Sequence, residues 1–172
     1  MPSASSESPS SAAEGTPAHA GVHFPPPFVY VGGILTGWLL GRAWPWPITQ
    51  AGSGASTARL VVAAVFAVAY FALFLGALSA FRRAHTTLIP NRPATAFVSE
   101  GPYGWTRNPM YVSMALLYLA VALWMNSWWA LLMLVVVVFV IQSAVIAREE
   151  RYLSARFPDA YRAYCARVRR WI

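Results

Sequence analysis

The chain is 172 residues long, 58% of them apolar and only 11% charged, which leaves too little charge to cover the surface of a soluble domain of this size. Its formal charge is +7, and all 13 cations are arginine. Because these arginines flank apolar blocks, they read as topology signals and contacts with membrane lipid headgroups, and they argue against nucleic acid as a partner.

Residues 1–24 are rich in Ser, Ala, Pro and Glu with no apolar period, and predict a disordered tail ahead of a membrane domain over residues 25–172. No basic run precedes the first apolar block, so a cleaved signal peptide is not expected. That block, Phe28 to Trp44, carries Gly33, Gly37 and Gly41 every four residues, a small-residue stripe on one face. Such a stripe suits close helix packing and permits a homo-oligomer. Trp44, Pro45, Trp46 and Pro47 end the block at an aromatic belt.

Ala58 to Phe81 predicts a second span, stopped by Arg82, Arg83 and His85. Residues 84–108 hold Pro90, Pro93 and Pro102 and read as a polar segment outside the bilayer. Pro109 to Trp124 and Trp128 to Ile146 are two further apolar runs. The break at Asn126 and Ser127 reads as the tight turn of a helical hairpin. Beyond Arg148, the residues Phe157, Tyr161, Tyr164, Val168 and Trp171 recur at spacings of four, three, four and three, with arginines between them. This pattern predicts an amphipathic helix lying in the membrane interface.

The expected fold is therefore an all-α integral membrane protein of about four transmembrane helices. Four arginines lie between residues 82 and 107 and seven between 148 and 172, against Arg42 and Arg59 on the other side. By the positive-inside rule, the loop, the acid-bearing end and both termini are cytoplasmic.

The stretch Thr95 to Tyr111, TAFVSEGPYGWTRNPMY, is where polar chemistry meets the mouth of a helix. Asn108 and Pro109 suit an N-cap and a first helical residue, while a helix N-terminus also presents free N–H groups to a carboxylate. Arg107 reads either as an interface anchor or as a clamp on a carboxylate or phosphate. Tyr103 and Tyr111 are belt aromatics or partners of a nucleoside. Glu149 and Glu150 are adjacent acids at the end of the fourth run. At a helix's last turn carboxylates oppose the macrodipole, and the positions three and four residues on are Tyr152, Leu153 and Ser154, so no helix-surface counter-ion is in place. Either an arginine from the loop or the tail meets them, or one of them receives a cation from a ligand.

Cys165 is the one cysteine and reads as a small packing residue. No disulfide is available to it within the chain, and with His19, His23 and His85 scattered, no metal site is expected.

Taken together, TAFVSEGPYGWTRNPMY before a hairpin, EERYL at Glu149 to Leu153, and FPDAYRAYCARVRRWI after it resemble the isoprenylcysteine carboxyl methyltransferase family and the related phospholipid N-methyltransferases. The resemblance covers roughly residues 60 to 172. It implies a membrane methyltransferase that uses S-adenosyl-L-methionine over the cytoplasmic ends of the last two spans. Thr95, Ala96, Phe97 and Val98 would supply main-chain and apolar contacts to the cofactor. Tyr103, Asn108, Pro109, Met110 and Tyr111 would line the same pocket, and Glu149 would hold the cofactor's ammonium. Arg107 and Glu150 are the candidate catalytic pair, Glu150 as a base for an amine acceptor. Asn108 stands where eukaryotic carboxyl methyltransferases have His, Pro158 replaces a Gly, and Val145 occupies the place of a substrate-binding Arg.

The implied activity is methylation of a lipophilic acceptor, an isoprenylcysteine-type carboxylate. The alternatives are phospholipid N-methylation, a non-catalytic membrane lipid-binding protein, and a sterol-type membrane reductase with a similar catalytic half.

Overall fold

The computed structural model describes residues 25–84 and 98–172. The expected tail over residues 1–24 and the candidate contacts Thr95, Ala96 and Phe97 lie outside the described residues. Within them the chain is helical, with α1 (Pro27–Ala43), α2 (Gly54–Arg83), a one-turn 3-10 helix (Gly101–Gly104), α3 (Pro109–Trp124) and α4 (Trp128–Val140). A π-helical segment (Ile141–Ile146), α5 (Ala147–Arg156) and α6 (Pro158–Cys165) follow. No strand forms among the described residues.

Two helical stretches are long and apolar enough to cross a membrane, Gly54–Arg83 and the unbroken run Trp128–Arg156. Only 11% of the first apolar window and 28% of the second is buried inside the chain, which distinguishes them from the core helices of a soluble protein. Their outward faces carry Val61, Val65, Val68, Phe71, Val135 and Phe139, all well exposed. An apolar surface of that extent needs an apolar surrounding. At 17 and 16 residues, α1 and α3 are each only about 25 Å long, a little short of the roughly 30 Å hydrocarbon layer.

The helices pack pairwise. α2 lies along α3, α1 lies along α4, and α3 touches both α4 and α1. The glycine stripe makes the second of these contacts. A Cβ on Gly37 would sit 2.6 Å from Ala130 Cα, and one on Gly33 would collide with Val137. α4 therefore occupies this face of α1, which removes the stripe as a dimer surface. The core runs from Tyr30 through Tyr118 and Ala122 to Val137, Ile141 and Val145.

The hairpin turn forms at the expected place. Asn126 takes a left-handed backbone, φ 56°, which Asn tolerates. Its carboxamide holds the α1–α2 loop, accepting from Ile48 N at 3.0 Å and Thr49 N at 2.9 Å and donating to Thr49 O at 2.8 Å. The Ser127 hydroxyl caps α4 by accepting from Ala130 N at 3.3 Å. Arg59 donates to the carbonyls of Leu123 and Trp124, so the cation at the far end serves a helix C-terminus.

Two expectations are corrected at the opposite end. The fourth helical run does not stop at Ile146: it continues through the π segment and α5 to Arg156, so Glu149 and Glu150 stand well inside a helix and not at its last turn. Nor does the tail form one long interfacial helix. α6 has eight residues, and its apolar side chains Tyr161 and Tyr164, with Val168 beyond, are buried against Leu153, Phe157 and Cys165. Aromatic side chains that find partners in their own chain have no face left for lipid. After α6 the chain turns, and residues 166–172 run back as a strap over the loop before α3.

Candidate functional site

The loop before α3, the polar helix α5 and the strap converge on the acid pair. Glu149 lies beyond the apolar part of the long helical run, in the segment AREERYLSAR. The Tyr111 hydroxyl, in the first turn of α3, donates to Glu149 Oε1 at 2.7 Å. Tyr111 is in turn held through its carbonyl, which accepts from the Tyr30 hydroxyl of α1 at 3.1 Å. No guanidinium lies within ion-pair distance of Glu149 among the described residues. Burial pushes its carboxyl up to about 7, against the pull of the Tyr111 hydroxyl and with the Glu150 charge adding to the rise.

Glu150 is different: arginines from the loop and from the tail meet it, the first of the two alternatives open for the acid pair. Arg107 Nη1 stands 3.2 Å from Glu150 Oε1, and Arg170 reaches both oxygens, Nε to Oε1 at 3.0 Å and Nη2 to Oε2 at 2.5 Å. The counter-ions come from the loop and the strap, 43 residues before and 20 after, where helix spacing cannot show them. Arg107 also donates to Cys165 Sγ at 2.8 Å, and its buried Nε has no partner among the described residues.

Asn108 precedes α3 as expected, but its side chain does not cap the helix: Nδ2 donates to Arg170 O at 2.9 Å. Pro109 follows fully buried. Val98 and Tyr103, with Met110 packed against them, sit in a separate apolar cluster against Ala77 and Ala80 of α2. Tyr103 also presents its carbonyl to the Tyr164 hydroxyl at 2.6 Å. The structure thus joins Tyr111 to Glu149 and Arg107 to Glu150, turns Asn108 toward the strap, and places Val98, Tyr103 and Met110 on the α2 side.

A groove of about 800 Å3 opens along α5, lined by Ala147, Glu150, Arg151, Ser154, Ala155 and Arg170. Glu149 and Tyr111 are not among its walls. One carboxylate flanked by guanidiniums thus borders the groove, while the other, facing a neutral hydroxyl, is turned toward α3.

The sequence profile described as phospholipid methyltransferase matches residues 58–160, more than half of the chain. The chain belongs to the phospholipid methyltransferase family. This family sits within the isoprenylcysteine carboxyl methyltransferase superfamily, in agreement with the resemblance carried by the loop, the acid pair and the tail. A similar protein from Haemophilus influenzae, named only as an uncharacterized protein, is 44% identical over 63 residues, 37% of this chain and 100% of its own length. No solved structure matches the chain. The phospholipid methyltransferase match takes in α2, the loop, α3 and the acid pair, and leaves out α1 and the strap.

Reading the sequence alone missed Arg170, Gln142 and the strap's contact with the loop. The one local signal was the tail FPDAYRAYCARVRRWI, which holds Arg170 and Trp171 and carries part of the resemblance.

Proposed function

We propose that this protein is a membrane methyltransferase that uses S-adenosyl-L-methionine to methylate a lipophilic acceptor. The observation that carries the reading is the Tyr111–Glu149 contact at 2.7 Å, which joins the loop motif to the acid pair across 38 residues and leaves a carboxylate without a cation of its own. The residues that fit the cofactor are Glu149, which offers a negative charge to its ammonium, and Tyr111 beside it; Tyr103 and Met110 pack on the α2 side, Asn108 turns to the strap and Pro109 is buried. When bound, S-adenosyl-L-methionine supplies an electrophilic methyl on a sulfonium. The four apolar helices cross the membrane with the loop, acid pair and strap on the cytoplasmic side, as the arginine distribution supports.

Glu150 has both oxygens on guanidiniums. To act as a base for an amine it would have to leave two ion pairs. An acceptor that is already ionised needs no base, and a carboxylate approaching a sulfonium loses opposite charges along the path, which a poorly solvated site favours. The geometry therefore supports an isoprenylcysteine-type carboxylate, whereas the family description supports a phospholipid amine. Arg151 and Arg170 beside the groove suit the anionic part of either acceptor.

The deciding experiment incubates purified protein with methyl-labelled S-adenosyl-L-methionine and total membrane lipid. A base-labile label marks a carboxyl ester, and a base-stable headgroup label marks N-methylation. No transfer, with lipid still bound, overturns the enzyme reading in favour of a lipid-binding protein.

The pH dependence of cofactor binding is a second check. Glu149 must be ionised to hold an ammonium, and its carboxyl stands at about 7 in the free protein. Below pH 7, binding releases this proton, so affinity falls by about tenfold per pH unit; above pH 7 it levels off. Equilibrium binding of labelled S-adenosyl-L-methionine between pH 5.5 and 8.5 should show that bend. A flat profile would take Glu149 out of the site.

A further inference from the structure

The strap lies outside the matched residues, yet it touches both the loop and Glu150. It runs parallel to the loop, pairing Arg169 with Thr106, and Arg107 N donates to Arg169 O at 2.9 Å. The Arg170 carbonyl takes two donors, Thr106 Oγ1 at 3.2 Å and Asn108 Nδ2 at 2.9 Å, while the Arg170 side chain grips Glu150. Its outer end is tied by Trp171 Nε1, which donates to Gln142 Oε1 at 2.8 Å.

Gln142 belongs to the π-helical segment. Ile141, Val145 and Ile146 are all fully buried, and the spacing of five from Ile141 to Ile146 is one that a wider turn keeps on a single face and an α-turn does not. The extra residue in that turn rotates everything downstream by about 100° relative to a regular helix. The same segment therefore fixes where α5 aims its acids and where the strap is fastened.

We propose that Gln142 and Trp171 are positioning residues, whose latch holds the strap on the loop so that Arg107 and Arg170 stay on Glu150 and Glu149 is left as the single uncompensated anion toward Tyr111. This rests on the reading that Glu149 receives the cofactor's ammonium. The groups that act on Glu149 are Tyr111 on α3, Tyr103 in the 3-10 turn and Glu150 on its own helix, with Arg107 and Arg170 acting through Glu150. Tyr30 of α1 acts through Tyr111. Releasing the strap strips Glu150 of Arg170 and frees Arg107 from its backbone tie. Glu149 then faces an uncompensated negative neighbour and ionises less readily.

The test uses full-length protein in detergent with Trp171→Phe, which keeps the ring and removes the N–H, and Gln142→Met, which removes the acceptor from the other side. Cys165, the single cysteine, contacts Arg107 and reports on the strap through its rate of maleimide labelling. Both variants should label several-fold faster than wild type. They should bind S-adenosyl-L-methionine about five- to tenfold more weakly, as loss of one hydrogen bond predicts. The pH midpoint of binding should move upward, and the double variant should be no worse than either single one. Labelling rate and pH midpoint unchanged in both variants overturn the proposal, whatever the affinity. If wild type binds no S-adenosyl-L-methionine, the cofactor reading fails, while the Cys165 rates still decide whether the latch holds the strap.

Discussion

Glu149→Gln is expected to abolish tight binding of S-adenosyl-L-methionine while leaving the protein folded. Glutamine keeps the size of the side chain, and its amide oxygen can still accept from the Tyr111 hydroxyl that reaches Glu149 at 2.7 Å. Only the charge is removed. Truncating one partner of a desolvated charge pair costs about 2–5 kcal/mol, roughly 30- to several-thousand-fold in affinity. Tyr111→Phe removes a neutral donor and should cost about tenfold, because the carboxylate remains but is less well held. The ordering, with Glu149→Gln far worse than Tyr111→Phe, separates a charge requirement from a packing requirement. Titration of labelled cofactor onto purified variants reads it directly. Wild-type affinity in Glu149→Gln would show that the ammonium is held elsewhere.

The second large effect is at Gly37. A Cβ there meets Ala130 Cα at 2.6 Å and Ala130 N at 2.9 Å, both backbone atoms of α4 that cannot rotate aside. Gly37→Val must push α1 off α4, and overpacking of this kind costs about 1–3 kcal/mol or more. Gly41→Ala meets only the Ser127 hydroxyl at 3.2 Å and should be milder. Gly32→Ala meets nothing within 4 Å and should be neutral or slightly stabilising through helix propensity. Thermal unfolding in detergent should therefore rank Gly37→Val well below Gly41→Ala, with Gly32→Ala at or above wild type. Gly37→Val should also weaken cofactor binding, because α1 carries Tyr30, whose hydroxyl supports the Tyr111 backbone. Equal stability of Gly37→Val and Gly32→Ala would mean that α1 does not lie on α4.

The helices themselves were legible because their signals are local. The run Pro109 to Trp124 forms α3 with those same ends, set by Pro109 at the first helical position on one side and the Asn126 turn on the other. α1 starts one residue before its apolar block, at Pro27, because Pro suits the first helical position, and α2 starts four residues before its own, at Gly54. The glycine period correctly announced close packing, but it could not say whether the partner was a second chain or α4. The amphipathic period of the tail was real as well, yet its apolar side chains turned inward onto Leu153 and Phe157. Periodicity reports that a face is buried and is silent on what buries it.

Sequence alone determined where apolar helices form, where they break, and which polar residues collect at one end, since each depends on hydrophobicity and turn chemistry within a few neighbouring positions. Tertiary structure decided how the two acids differ. Arg107 and Arg170 reach Glu150 from separate elements, whereas among the described residues Glu149 takes its hydrogen bond from Tyr111 and has no ion pair. The π turn contributes by rotating α5, and the strap by folding back across 62 to 64 residues to the loop. Whether a charge is paired depends on which chain segments dock beside it, and docking is settled by packing over distances along the chain that no local pattern encodes.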